Sequence, residues 1–350
     1  MLKHKLRWLI VNFLGAILLI AGLYAFSIKS NRDDNAFIRH FPPHFIKNTR
    51  ILDLQYNSYY IAGLTETHIF LGNYTVPNEF IVTTYDLKDT QTVNLNLSEN
   101  KINRLASFKL FIDSPNIYLV NGLTSIIYAK KISSHYWNSH KIDNAKFSLC
   151  LPFSLSSVVT RQYDTNIKSS ILIKQYLDSG KLKPSSFVLQ KQGEGFFSTD
   201  GMLLYNHDFA YIIYIYYYRN QINFLDSNLA FLFQSKTIDT VSNSKLKVSL
   251  DRSAKAYKLA APALITNKYS CTDGNWLYIN SGLKADNESK ANFEKKSVID
   301  MYSIKDKRYF YSFYLPQYDG KKISDMRIFN KKVVVINNRM LITYQLNQKD

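Results

Sequence analysis

One pattern recurs along this chain and limits its fold more than any other: an apolar stretch, an aromatic residue, then a step into a turn. It appears as Thr84-Tyr85-Asp86-Leu87, Ile127-Tyr128-Ala129-Lys130, Gln175-Tyr176-Leu177-Asp178, Asn223-Phe224-Leu225-Asp226, Met301-Tyr302-Ser303-Ile304 and Thr343-Tyr344-Gln345-Leu346. Successive aromatic residues lie 43, 48, 48, 78 and 42 positions apart. A period in the forties with strand-like content predicts four-stranded units that bury their faces against one another. Six copies predict an all-β propeller of six blades. The long interval covers a Lys- and Ser-rich stretch at residues 240–268, which is expected to be an insertion in one connection. The alternative is a short seventh blade hidden there.

Longer matches join distant copies. Ile81 to Asp89 (IVTTYDLKD) pairs with Val298 to Asp306 (VIDMYSIKD), and Asn116 to Leu123 (NIYLVNGL) pairs with Asn275 to Leu283 (NWLYINSGL) if one residue is inserted. Thr199-Asp200-Gly201 and Thr272-Asp273-Gly274 each lead into a Leu-Tyr strand, with Asp-Gly supplying the tight turn. That turn and the period resemble extracytoplasmic six-bladed propellers of the TolB and NHL kind, over roughly residues 51–346. The resemblance implies a ring of radial sheets that binds at one mouth of a central channel. It carries no catalytic residues across.

A further strand is expected after each of the first five copies, at residues 92–97, 136–142, 186–190, 229–234 and 309–315. The sixth copy meets the end of the sequence, so its outermost strand has to come from elsewhere or leave an open edge. Ala36 to Ile46 is expected to supply it, although Pro42 and Pro43 cannot donate to a ladder.

The N-terminal end carries a second constraint. Trp8 to Ile28 is an apolar run in which only Asn12 and Ser27 are clearly polar, behind a basic head of Lys3, His4, Lys5 and Arg7. Such a run suits one transmembrane helix, and the basic head favours a cytoplasmic tip. The expected organisation is a tip at residues 1–7, a signal-anchor helix at 8–28, a tether at 29–35 and a propeller at 36–350, with the body outside the cytoplasmic membrane of a bacterium. A cleaved signal peptide ending near Ala25-Phe26-Ser27 is the competing reading.

Composition narrows the function classes. With 26 Tyr and 22 Phe against 12 Gly and 8 Pro, the chain favours strands and is not a linker-rich or disordered protein. The formal net charge of +17 allows attraction to an anionic surface, but the Lys residues are scattered and no dense basic block stands out. Nucleic acid is disfavoured as a partner by the expected compartment. The expected partners are the bilayer, through residues 8–28, and an envelope protein or glycan. Cys150 and Cys271 allow a disulfide outside the cytoplasm or two buried thiols, and spacing does not decide.

No motif carries chemistry. There is no H-E-x-x-H, no Asp-x-Asp-x-Asp loop, no G-x-S-x-G elbow and no complete phosphate loop, so no metal or cofactor is expected. Glu66, Asp113, Glu194 and Asp208 are candidate carboxylates only in the sense that a propeller can bring such residues together from different blades. The most distinctive local feature is Tyr211 to Tyr218 (YIIYIYYY), read as a hairpin turning at Arg219-Asn220. Tyr214, Tyr216 and Tyr218 would share one face of that strand. They are either a platform for sugar rings or a partner, or packing between blades. The primary expectation is therefore a membrane-anchored binding or scaffolding module. The alternative is an extracytoplasmic hydrolase or lyase acting on a glycan or peptide at the mouth of the channel.

Overall fold

The computed structural model describes residues 7–8, 11–22, 35–95, 107–142, 146–185, 189–193, 196–251, 253 and 256–347. Six four-stranded antiparallel sheets form the ring. Blade 1 is β2 (Tyr59–Leu64), β3 (His68–Asn73), β4 (Glu79–Thr84) and β5 (Thr90–Asn94). Blade 2 is β6 (Lys109–Asp113), β7 (Asn116–Asn121), β8 (Ile126–Lys131) and β9 (Asn138–Lys141). Blade 3 is β10 (Phe147–Ser154), β11 (Ser157–Asp164), β12 (Ser169–Tyr176) and β13 (Leu182–Pro184). Blade 4 is β14 (Gly201–Asn206), β15 (Tyr211–Tyr216), β16 (Gln221–Leu225) and β17 (Phe231–Lys236). A separate two-stranded hairpin, β18 (Val248–Asp251) and β19 (Ala256–Leu259), follows. Blade 5 is β20 (Asn267–Asp273), β21 (Trp276–Ser281), β22 (Lys296–Ser303) and β23 (Arg308–Pro316). Blade 6 takes β24 (Asp325–Phe329), β25 (Lys332–Asn337) and β26 (Met340–Leu346) from the end of the chain and β1 (Ile46–Asp53) from its beginning. Among the described residues, the 78-residue interval thus holds an inserted hairpin and no seventh blade.

The recurring aromatic residue marks the third strand. Tyr128, Tyr176, Phe224, Tyr302 and Tyr344 lie on β8, β12, β16, β22 and β26, and Tyr85 follows β4 directly. The two long internal matches also fall on equivalent strands, β4 with β22 and β7 with β21. The two Asp-Gly turns do not correspond. Gly201 opens an innermost strand, whereas Gly274 turns β20 into β21. Asp-Gly satisfies any tight turn, so its recurrence says little about blade position.

The core is six wedges and not one centre. An apolar cluster fills each cleft between neighbouring blades. Second strands therefore bury both faces and read as unbroken apolar runs. On β25, Val333 and Val335 pack toward blade 5 while Val334 and Ile336 pack toward blade 1. All four are fully buried, each stabilising the ring by roughly 1.5–3 kcal/mol.

Closure comes from β1, which pairs antiparallel with β26 from Ile46 opposite Leu346 to Asp53 opposite Met340. The expected closing strand, Ala36 to Ile46, is displaced by about one strand length. Ala36 and His44 have left-handed φ of 57° and 51°, and Pro42-Pro43 interrupts any ladder between them. That segment instead runs along blade 5. Arg39 is buried there, with Nε donating to Asp300 Oδ1 at 2.6 Å, Nη2 to Asp300 Oδ2 at 3.0 Å, and Nη1 to Glu288 and the Leu283 carbonyl. Phe41 stacks on Tyr314 at 4.5 Å. The outer strand of blade 3 is Leu182–Pro184, ahead of the expected 186–190, because the turn after Tyr176 is short; residues 186–188 lie outside the described set.

Of the expected membrane span, residues 8 and 11–22 are helical and exposed. Among the described residues no helix is long and apolar enough to cross a membrane. Residues 9–10 and 23–28 of that run lie outside them.

Candidate functional site

The innermost strands β2, β6, β10, β14, β20 and β24 line a central channel, and each runs in the same direction along it. One mouth is therefore built where these strands begin, together with the turns joining second to third strands. The other is built where they end, at the turns joining first to second strands. The two mouths have opposite chemistry.

The first is a tyrosine and lysine mouth with a cavity of about 470 Å³. Tyr60 and Tyr74 pack at 4.4 Å between ring centroids, and the Tyr60 hydroxyl accepts the Leu110 N–H at 2.6 Å, joining blade 1 to blade 2. The Lys109 ammonium stands 5.3 Å from the ring centroids of both Tyr60 and Phe111. Lys109 opens to channel solvent but is walled by protein. That enclosure lowers its pKa, while Asp325 acts the other way. Lys268 lines the same cavity and is also lowered by burial. Burial raises the phenols of Tyr74, Tyr217 and Tyr269, so they remain neutral donors.

Among the described residues one carboxylate lines this cavity, and it is occupied. Asp325 Oδ2 accepts the Ile61 N–H and Oδ1 accepts the Met326 N–H, each at 2.8 Å. Asp325 thereby ties blade 6 to blade 1. Among the described residues, no carboxylate lies within ion-pair distance of Lys109, Lys268 or Arg327.

Deeper in the channel, Cys150, Cys271 and Arg327 line a smaller cavity of about 210 Å³. Both cysteines are free thiols. Burial raises the Cys271 thiol to about 12, which leaves it protonated and unreactive. Cys150 is raised further for the same reason.

The opposite mouth is acidic. Glu66, Asp113, Asp208 and Asp273 surround a cavity of about 470 Å³, one from each of four blades. His207 Nε2 lies 3.4 Å from Asp113 Oδ1, and this hydrogen bond raises the imidazole pKa. Burial raises the Asp273 carboxyl, opposed by the backbone N–H groups of Asn330 and Lys331. Among the described residues no group of three or more His, Cys, Asp or Glu side chains is arranged to hold a metal ion. Three of the four candidate carboxylates from the sequence, Glu66, Asp113 and Asp208, thus meet at one mouth. Glu194 lies outside the described residues.

The tyrosine hairpin sits elsewhere. Tyr214 and Tyr216 are fully buried in the cleft between blades 3 and 4. The Tyr214 hydroxyl donates to the Thr199 carbonyl, and the Tyr216 hydroxyl accepts the Gln190 N–H at 3.1 Å. The buried Arg219 guanidinium covers the Tyr216 ring at 3.5 Å. Both rings are covered by the packing of these two blades. Tyr218 is half-buried in the turn after β15. The neighbouring Tyr217 is the member of this run that lines the tyrosine mouth. The mouth residues escaped sequence reading because each blade contributes only one or two, with no common motif among them.

No protein-family model matches this chain. No curated protein matches it either. Solved structures do. A member of the DUF4221 family from Bacteroides vulgatus superposes with a TM-score of 0.53 at 12% identity, over 87% of this chain and 98% of that one. A protein described as a putative exported protein from Bacteroides fragilis gives 0.53 at 10% identity, over 89% and 98%. A protein of unknown function from Bacteroides thetaiotaomicron gives 0.50 at 9% identity, over 86% and 76%. At these identities the likeness shows a shared fold and nothing finer.

Proposed function

We propose that this chain is a membrane-anchored, extracytoplasmic six-bladed propeller that binds a ligand in its tyrosine and lysine mouth. The ligand has an anionic group and an apolar or sugar-ring face. The observation that carries this reading is the convergence of Lys109, Lys268 and Arg327 on a tyrosine-walled cavity whose one carboxylate, Asp325, is already held by two backbone N–H groups. Partly enclosed cations with no carboxylate within ion-pair distance among the described residues favour an anion, and the ring faces favour an apolar or sugar face beside it. The apolar run at residues 8–28 supports the anchor, and the exported description of the Bacteroides fragilis neighbour supports the compartment. The blade number supports kinship with the TolB and NHL propellers.

The test is calorimetric titration of the full chain in detergent with matched acidic and neutral oligosaccharides. Acidic sugars are expected to bind, with Lys109→Met and Lys268→Met each weakening binding at least tenfold. Equal binding of neutral sugars, or no effect of either variant, would overturn the reading.

The acidic mouth supports the second reading, a hydrolase using carboxylates drawn from separate blades. Its observation is the meeting of Glu66, Asp113, Asp208 and Asp273 around one cavity. Turnover of a glycan or peptide that is lost in Asp113→Asn and Asp208→Asn would favour it over a pure binding module.

A further inference from the structure

The inserted hairpin is amphipathic. Val248 faces Leu259 and Leu250 faces Tyr257 on one side, while Ser249 faces Lys258 on the other. Leu250 is 54% exposed and Tyr257 39%, and Leu264 and Ile265 after the hairpin are 39% and 40% exposed. The connection that carries the hairpin, residues 237–266, holds five basic residues (Lys245, Lys247, Arg252, Lys255, Lys258) against two acidic residues, Asp239 and Asp251. Lys258 pairs with Asp251 at 3.2 Å, and Lys245 and Lys247 are exposed.

The insertion joins the last strand of blade 4 to the first strand of blade 5, so it stands on the face that holds the tyrosine mouth. The N-terminal arm enters the ring on that face too. Asn35 N donates to Asp286 Oδ1 at 2.7 Å, Asn35 Nδ2 donates to the Lys284 carbonyl at 2.8 Å, and Thr240 Oγ1 donates to the Asn35 carbonyl at 2.9 Å. Asp286 and Lys284 belong to the connection between β21 and β22, at the same end of the blade. Six residues separate the end of the apolar run at residue 28 from Asn35, which limits the reach to roughly 25 Å.

We infer that the tyrosine face of the ring docks on an anionic lipid surface, with the β18–β19 hairpin as the contacting element. This rests on the anchoring proposed above. An anchor leaving from this face holds the hairpin toward the bilayer. Exposed leucine, isoleucine and tyrosine side chains beside the exposed Lys245 and Lys247 suit the interface between headgroups and acyl chains. The net positive charge of the insertion selects anionic over zwitterionic lipid, and salt should weaken the contact.

The experiment uses the full chain in vesicles of phosphatidylcholine alone or with phosphatidylglycerol at one part in four. An environment-sensitive nitrobenzoxadiazole probe is attached at Ser253→Cys in the hairpin, or at Lys88→Cys on the opposite face. The labelled parent, with only its two native cysteines, serves as blank. The hairpin probe is expected to blue-shift and brighten at least twofold in anionic vesicles, and the opposite-face probe to stay unchanged. Lys245→Gln with Lys247→Gln should reduce the hairpin response. Protein that floats with both vesicle types while the hairpin probe stays unchanged would overturn this inference and leave the anchor standing. Flotation only with anionic vesicles, with a shifted hairpin probe, would support the docking face and sink the anchor. Flotation with neither would overturn both.

Discussion

Arg39 and Asp300, 261 residues apart in sequence, form a bidentate ion pair with both side chains buried, at 2.6 Å and 3.0 Å. Burial alone would disfavour the charge on Arg39, but Asp300 and Glu288 together hold it well above the ordinary arginine range. The guanidinium also lies 4.9 Å from the Phe37 ring centroid. The pair fastens the N-terminal arm to blade 5 just before β1 closes blade 6.

Arg39→Met keeps most of the side-chain volume but leaves two carboxylates buried without a cation. It should destabilise the fold by about 3–5 kcal/mol, seen as a lower midpoint in urea. Adding Asp300→Leu and Glu288→Gln should recover part of the loss. Strict additivity of the three substitutions would show that the network does not act as a unit.

Gly122 and Gly282 occupy the same place after β7 and β21, inside the matched NIYLVNGL and NWLYINSGL segments. A Cβ at either would fall well inside van der Waals contact with backbone carbonyl oxygen, that of Phe147 or Ile265. Backbone cannot rotate away as a side chain can. Gly122→Ala and Gly282→Ala should therefore each cost about 1–3 kcal/mol, measured by thermal or urea unfolding. Neutral outcomes would mean that these turns shift easily.

Tyr214→Phe removes the hydroxyl that donates to Thr199 and leaves that buried carbonyl without this donor. A stability loss of about 1–3 kcal/mol is expected, with ligand affinity at the tyrosine mouth unchanged. Loss of affinity at unchanged stability would return Tyr214 to the candidate binding residues.

His207 should titrate above its ordinary value near 6.5, because its hydrogen bond to Asp113 favours the charged ring. With the folded pKa raised, the stabilisation is fully present below about pH 6.5 and is lost as pH rises through the folded value. The imidazole is 64% exposed, so the contribution should be only about 0.2–1 kcal/mol. NMR titration of the ring should show the pKa returning toward 6.5 in Asp113→Asn. An unchanged value would assign the shift to some other group.

Much of the ring was legible because its signal is local. An aromatic residue in the third strand of each blade recurs at the blade period, so Tyr128, Tyr176, Phe224, Tyr302 and Tyr344 reveal themselves by spacing. The long interval between Phe224 and Tyr302 likewise located the inserted hairpin. Apolar runs such as those in Tyr211–Tyr216 and Lys332–Asn337 follow from strands buried on both faces.

Tertiary structure decided what depends on partners far away in the chain. Residues near 40 read as extended, but only the pocket formed by Asp300 and Glu288 makes Arg39 a clasp and moves the closing strand to Ile46–Asp53. The site was hidden for the same reason. Lys109, Lys268 and Arg327 come from three blades and share no motif, and their convergence is a property of the closed ring. A repeat fixes how each blade is built, because strand pairing and burial act over a few tens of residues. Which side chains meet at the channel is set by closure of the ring, which no window of sequence contains.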